Sequence, residues 1–194
     1  MHTIVLETER LMLRHFTVDD LDDLAAIYAD PDVMRYIGSG VAKARAQTAE
    51  LLEFAFIDNA RAWPDEVLER KPQLRRAIER NCSFGLWATI YKPDNRLIGR
   101  CGLLSWDLDG QKETEVGYVL AKAYWGRGLA SEAARASRDY GFNVLGFDRL
   151  ISLILPQNLA SQRVAIKNGM NHERDVAIGG NPLVRMYCVR RDSV

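Results

Sequence analysis

The residues with the most direct chemical meaning are Trp125-Gly126-Arg127-Gly128-Leu129-Ala130-Ser131, followed by Glu132-Ala133. An apolar run, Val116 to Leu120, precedes them, and a pattern of helical period, Leu129 to Val144, follows. A strand, a glycine-bearing turn and a helix start together can hold a phosphate. Glycine lets the backbone come close to an anion. The first N–H groups of a helix have no intrahelical acceptor, and the positive end of the dipole adds attraction. Alone, a G-x-G turn is equally compatible with a plain tight turn, so the surrounding elements decide.

Those elements follow from the spacing of apolar residues. Arg10 to Arg14 alternates and reads as a short strand. Thr17 opens a helix with Asp19, Asp20 and Asp22 in its first turn and a stripe of Leu21, Leu24, Ala25 and Tyr28. Asp30-Pro31 ends it, and a short second helix through Val33, Met34 and Tyr36 runs to Gly38-Ser39-Gly40. Lys43 to Asn59 predicts a third helix. Trp63 to Arg80 is charged, is interrupted by Pro64 and Pro72, and reads as a solvated helical insertion, with a lid or partner-binding element as the sharper alternative. Ser83 to Tyr91, Leu97 to Trp106 and Glu113 to Leu120 form an antiparallel meander; Gly99 and Gly102 mark a bulge or a close backbone approach. After the Gly-bearing turn comes a helix with an interior Gly141, closed at Gly146. Leu150 to Leu155 is almost wholly apolar, as a buried strand would be, so Glu113 to Leu155 reads as a right-handed strand–helix–strand crossover. Asn158 starts a further helix, stopped by Asn168-Gly169. Strands at Asn171 to Ile178 and Leu183 to Val189 flank the turn Gly179-Gly180-Asn181-Pro182.

Composition narrows the function. The 194 residues suit one domain, and 47% hydrophobic with 27% charged residues is an ordinary globular balance. Lys plus Arg equals Asp plus Glu at 26 each, which argues against a broad nucleic-acid footprint. Cys82, Cys101 and Cys188 are widely spaced and read as free thiols in a reducing compartment; with His2, His15 and His172 also apart, no metal site is expected. No stretch is long enough to span a bilayer and no leader pattern is present, so the expectation is a soluble, cytoplasmic protein.

In this order the chain resembles the GNAT superfamily of acetyl-CoA-dependent N-acetyltransferases, and within it the RimJ/RimL type that modifies ribosomal proteins. Three stretches carry the likeness. Glu9-Arg10-Leu11 with Leu13-Arg14 and then Asp19-Asp20-Leu21 resembles that branch's opening. Glu115-Val116-Gly117-Tyr118 followed by Tyr124 to Ala133 resembles its central signature. Pro156-x-Asn158-x-x-Ser161 with Lys167-Asn168-Gly169 resembles its second motif. Only about Trp63 to Arg80 lacks a counterpart. The resemblance implies an α+β GNAT fold: a mixed, mostly antiparallel sheet of about seven strands flanked by helices, with a helical insertion around residues 60–82. Gly128 and Ala130 match fixed positions of the superfamily loop, and Trp125 stands where Gln or Arg is usual.

That resemblance implies a chemistry and a set of residues. Acetyl passes directly from the thioester of acetyl-CoA to an amine, which requires a neutral amine, a stabilised oxyanion and a proton for the leaving thiolate. The cofactor contacts it implies are Trp125, Gly126, Arg127, Gly128, Leu129, Ala130 and Ser131 for the pyrophosphate, Val119 and Leu120 for the pantetheine arm, and Asn158 and Ser161. For the Arg127 side chain itself the residue reading is a solvated cation. Glu115 is the base candidate, on a face shared with Gly117 and Val119; a salt-bridged or solvated strand carboxylate is the alternative. The tyrosine that many relatives use as acid falls here on Ala165, so Ser161, one turn earlier, takes that expectation. Tyr118 faces away from Glu115 and reads as core, and Cys101 and Cys188 read as buried thiols rather than nucleophiles.

The acceptor stays open between a protein N-terminus and a small-molecule amine. Relatives are often dimers, so a homodimer is admitted without an independent signal. A non-catalytic acyl-CoA-binding or sensor domain is the alternative function. A dinucleotide-binding Rossmann reading fails, since it needs a third glycine and an acidic residue ending the next strand.

Overall fold

The computed structural model describes residues 3–57, 84–108, 110–178 and 183–193. The insertion expected around residues 60–82, Cys82, and the turn at residues 179–182 lie outside them. One sheet of eight strands organises the chain, in the order β1-β2-β3-β4-β5-β6-β8-β7. The strands are β1 (Ile4–Glu7), β2 (Leu11–Arg14), β3 (Leu86–Tyr91), β4 (Arg96–Leu108), β5 (Gln111–Leu120), β6 (Arg149–Ile154), β7 (Asn171–Val176) and β8 (Val184–Arg190). Every neighbouring pair is antiparallel except β5 and β6. Among the described residues five α-helices flank the sheet: α1 (Leu21–Tyr28), α2 (Pro31–Met34), α3 (Arg45–Leu51), α4 (Leu129–Asn143) and α5 (Leu159–Lys167).

The expected α+β plan therefore holds, with eight strands in place of about seven. The addition is β1, a four-residue edge strand whose two ends are exposed. It lacks the alternation that marks a strand in sequence and exists through its antiparallel pairing with β2. The third helix also departs from an uninterrupted Lys43–Asn59 run: α3 ends at Leu51, and Leu52–Ile57 continues as a π-helical stretch. At the start of α1, Asp20 does more than favour the dipole. It is buried, bridges the Arg14 guanidinium at 2.6 and 2.8 Å, and takes the Thr17 N–H at 2.8 Å. Removing one partner of such a pair costs about 3–5 kcal/mol.

Among the described residues the two larger of three buried apolar clusters lie on opposite faces of the sheet. Leu129, Ala133 and Phe142 of α4 join Ala165 of α5, Trp87, Cys101 and Leu103 in one. Leu24, Ile27 and Tyr28 of α1 join Val33, Met34, Leu52 and Val119 in the other. Gly141 lets α4 approach the sheet: a Cβ there would stand 3.1 Å from Leu150. On β4 the alternation is re-phased. Ile98 and Cys101 face the same core although three residues apart, because the β3–β4 register shifts beside Gly99. Gly99 has φ +154°, and a Cβ there would meet the Val119 carbonyl at 2.0 Å. The sequence alternatives of bulge and close approach are both realised. The bulge turns Arg100 onto the α1–α3 face, where Tyr28 and Phe56 receive it.

Candidate active site

The parallel pair β5 and β6 makes its ladder contact at Glu115↔Ile151. Past that point a cavity of about 430 Å³ opens between the strands. Gly117, Tyr118, Leu153, Leu155, Asn158 and Ser161 line it towards α5, and the turn from Tyr36 to Gly40, Arg100 and Trp106 line it towards α1 and α2. Gly117, paired with Gly102 across the sheet, lines it, and the Leu104 side chain packs over that glycine, 3.0 Å from where a Cβ would stand. A Cβ on Gly102 would strike the Gly85 carbonyl at 2.1 Å.

Glu115 sits where the strands part. Trp106 Nε1 donates to its Oε2 at 2.6 Å, and the Leu153 N–H donates to its Oε1 at 3.1 Å. The carboxylate thus replaces a missing strand partner, and two of its roughly four lone-pair sites remain. Burial pushes its pKa up; the Leu153 and Trp106 hydrogen bonds and the Arg100 charge pull it back only part of the way. Among the described residues it has no ion-pair partner, and it is buried rather than a solvated strand carboxylate. Trp106, which fixes it, carried no signal in the sequence.

Parity in the β4–β5 ladder settles which backbone groups face the opening. The Ala121 N–H donates to the Ile98 carbonyl at 2.7 Å, and the register runs without a break from Gly99↔Leu120 to Leu108↔Gln111. In an antiparallel pair, alternate residues direct both groups to the partner. Val119 therefore bonds β4, and the groups of Tyr118 and Leu120 face the cavity side. The Leu120 carbonyl takes Trp125 Nε1 at 2.8 Å, pinning the Gly-bearing turn to the strand end.

Tyr118 is more than a core residue. Its ring packs against the α4-side core, but its hydroxyl donates to the Ser161 carbonyl at 3.0 Å and the residue lines the cavity. Burial pushes its pKa well up, so it stays protonated at neutral pH. Asn158 Oδ1 caps α5 by accepting from the Ser161 N–H at 3.1 Å, and both residues line the cavity. Ala165, at the position of the usual acid, is buried. Cys101 is buried against Ser137, with its thiol pushed up to about 11 by burial; Cys188 is half-buried against Arg149.

The turn after β5 has the form that an anion site needs. Gly126 and Gly128 have φ +73° and +79°, a region that other residues rarely adopt, and Gly128 is the N-cap of α4. Leu129 puts its side chain in the core and Ala130 packs beside it, so their contribution to a ligand is the backbone N–H. The Arg127 side chain is not simply solvated. Its guanidinium lies 4.7 Å from the Tyr91 ring centre and 5.2 Å from that of Tyr124, and it donates to the Tyr91 hydroxyl at 2.7 Å.

A clamp from the N-terminal hairpin reinforces the turn. Glu132, on the first turn of α4, accepts from Thr8 Oγ1 at 2.5 Å and from the Arg10 N–H and Nε at 3.0 and 2.7 Å. Arg10 Nη1 donates to the Arg127 carbonyl at 3.0 Å. Burial raises the Glu132 carboxyl, but the Thr8 and Arg10 hydrogen bonds outweigh it and hold the pKa below its ordinary value. A second cavity of about 470 Å³ lies here, lined by Arg10, Gly128, Ser131 and Arg135 among others. Both partners stand in the motifs that carry the resemblance, yet nothing in their spacing announces that they meet across 122 positions.

Comparison with known proteins agrees with this geometry. The family model described as Acetyltransferase (GNAT) domain matches residues 10–171, and the chain belongs to that family of acyltransferases. A Bacillus subtilis (strain 168) protein named uncharacterized protein YkkB is 34% identical over 181 residues, spanning 92% of this chain and 91% of its own. The crystal structure of a GNAT-family acetyltransferase from Bacillus anthracis superposes with a TM-score of 0.74 at 25% identity, over 99% of each chain. A RimL ribosomal-protein acetyltransferase in complex with coenzyme A superposes with a TM-score of 0.69 over 98% of this chain and 99% of its own. At 15% identity that likeness is one of fold. Among the described residues no helix is long and apolar enough to cross a membrane.

Proposed function

We propose that this protein is an N-acetyltransferase moving acetyl from acetyl-CoA directly to a primary amine. One observation carries the reading: the cavity at the parting of β5 and β6 joins a carboxylate with a raised pKa to a strand edge that leads to the Gly126–Ser131 turn. The N–H groups of Arg127 through Ser131 hold the pyrophosphate. The backbone of Tyr118 and Leu120 holds the pantetheine arm as an added strand would. Glu115 takes a proton from the incoming ammonium, freeing the lone pair that attacks the thioester. As the C–S bond breaks, the attacking nitrogen gives up its second proton and the departing thiolate takes one, relayed through the Tyr118 or Ser161 hydroxyl at the α5 side of the cavity, so the hydroxyl ends as it began and Glu115 holds the first proton. The acceptor approaches from the α1–α2 side, so the two substrates meet at Glu115.

Thermal stabilisation by acetyl-CoA tests the first half. At a hundredfold excess over Kd the melting temperature rises by about 5–10 °C. Gly128→Asp, which brings a carboxylate against the pyrophosphate, loses that rise relative to its own ligand-free value. Thiol release across an amine panel tests the second half. Binding without turnover of any amine leaves a non-catalytic acyl-CoA-binding module.

A further inference from the structure

Three charged side chains line the central cavity among the described residues: Arg35, Arg100 and Glu115. Arg35 is paired with Asp32, which also takes Lys122. Glu115 is held by neutral donors at the parting of the strands. Arg100 differs from both. It is half-buried, its Nε donates to the Tyr28 hydroxyl, and the Phe56 ring covers one face of its guanidinium at 5.6 Å. Among the described residues no carboxylate forms an ion pair with it.

A cation withdrawn from water without a partner is costly, and buried charges are ordinarily paired. The neutral contacts to Tyr28 and Phe56 orient the fork without neutralising it. Among the described residues neither Nη group has a hydrogen-bond partner, and a guanidinium so presented binds carboxylate or phosphate through two parallel hydrogen bonds. On the shared face of β4 and β5 the pairs run Arg100↔Val119, Gly102↔Gly117, Leu104↔Glu115. The Arg100 and Glu115 backbones therefore stand about 14 Å apart along the strands, on one face of the sheet, and both residues line the cavity.

We propose that Arg100 is the specificity-determining residue of the acceptor pocket, and that the acceptor is a small amine carrying a carboxylate or phosphate group. The proposal rests on the acetyltransferase reading above. The acid binds Arg100, which directs the amine a few bonds away towards Glu115. The cavity, about 430 Å³, has room for the body of such a molecule.

The test uses the full chain, acetyl-CoA and thiol release, with matched amines. One series sets α-amino acids against their amides. A second sets amino alcohols against their phosphate esters. A third uses peptides with free N-termini and amidated C-termini. The charged member of one of the first two series is favoured in kcat/KM by roughly 10- to 100-fold, and the winning series tells carboxylate from phosphate. Arg100→Gln raises KM for that member by the same factor and costs its neutral partner far less, a small loss through the missing charge beside Glu115; Arg100→Lys recovers part of the preference. Arg100→Met, which keeps the stem on Phe56, replaces the Gln variant if the latter does not fold. Equal turnover of charged and neutral members, an equal loss of both in Arg100→Gln, or a preference for peptides over every small amine overturns the proposal and leaves the acetyltransferase reading standing. Turnover of no amine by a protein that binds acetyl-CoA overturns both.

Discussion

The turn Trp125–Ser131 and the cavity between β5 and β6 are adjacent parts of one candidate site, built in opposite ways. The turn presents backbone. Its working groups are N–H bonds at a helix start, and its side chains are turned to support: Leu129 into the core, Arg127 onto two tyrosine rings, Trp125 back to the Leu120 carbonyl. The cavity presents side chains, drawn from β4, β5, α5 and the turn after α2. A backbone site tolerates side-chain change but not a change of conformation, whereas a side-chain site has the reverse sensitivity. The difference also explains why the turn is written in one contiguous motif while the cavity residues are scattered over several stretches of the chain.

The strongest way to break this contrast is Glu115→Gln. It keeps an acceptor for the Leu153 N–H and removes the base, so kcat/KM falls roughly 10²- to 10⁴-fold while acetyl-CoA stabilises the variant as it does the parent. An equal loss of acetyl-CoA binding would make Glu115 a structural plug. The pH dependence sharpens the point. Because the folded-state pKa of Glu115 lies above its ordinary 4.5, the rate falls off on the acid side above the ordinary carboxylate range. The same shift means the protonated form is favoured by folding. Its contribution to stability is complete below pH 4.5 and is lost as pH rises through the raised pKa, a dependence that Glu115→Gln flattens in thermal scans.

Glu132→Gln is next in size. It loosens the clamp that holds the turn without touching the ligand, so KM for acetyl-CoA rises roughly 10-fold with kcat nearly unchanged. Arg10→Gln has the same effect, and the double variant adds little because both act through one contact. The folded-state pKa of Glu132 is lowered. Its stabilisation is therefore present above its ordinary value of 4.5 and lost as pH falls through the lowered one, to be read as a melting temperature that drops in acid less steeply for Glu132→Gln.

The smallest effect belongs to Arg127→Ala. Its stacking on Tyr91 and Tyr124, worth about 0.5–1 kcal/mol at an exposed site, and its exposed hydrogen bond to the Tyr91 hydroxyl are removed, neither of them a ligand contact, so acetyl-CoA affinity changes less than about fivefold. A loss of a hundredfold would turn the side chain into a phosphate ligand and undo the picture of a turn that binds by backbone.

Much of this was legible from local pattern. The meander, the crossover to β6, the Gly126–Gly128 turn and Asn158 as a helix cap all depend on neighbours within a few positions, where period and turn chemistry act. Legibility failed where partners are remote. The edge strand β1 needs β2 for its definition. Tyr118 read as core because alternation assigns its face but not the reach of its hydroxyl to Ser161, 43 positions on. Arg10 and Glu132 stood within recognisable motifs, and their meeting stayed hidden for the same reason.

The sequence by itself determined the order of the elements after β1, the family resemblance and the glycine-bearing turn, since each is written in contiguous residues. Only the tertiary structure decided the cavity. The single ladder contact at Glu115↔Ile151 releases the strands beyond it, and the bulge at Gly99 shifts the phase of β4 so that Arg100 faces α1 rather than α4. An alternation read along one strand cannot register such a shift, because the displaced residue is fixed by how neighbouring strands pair.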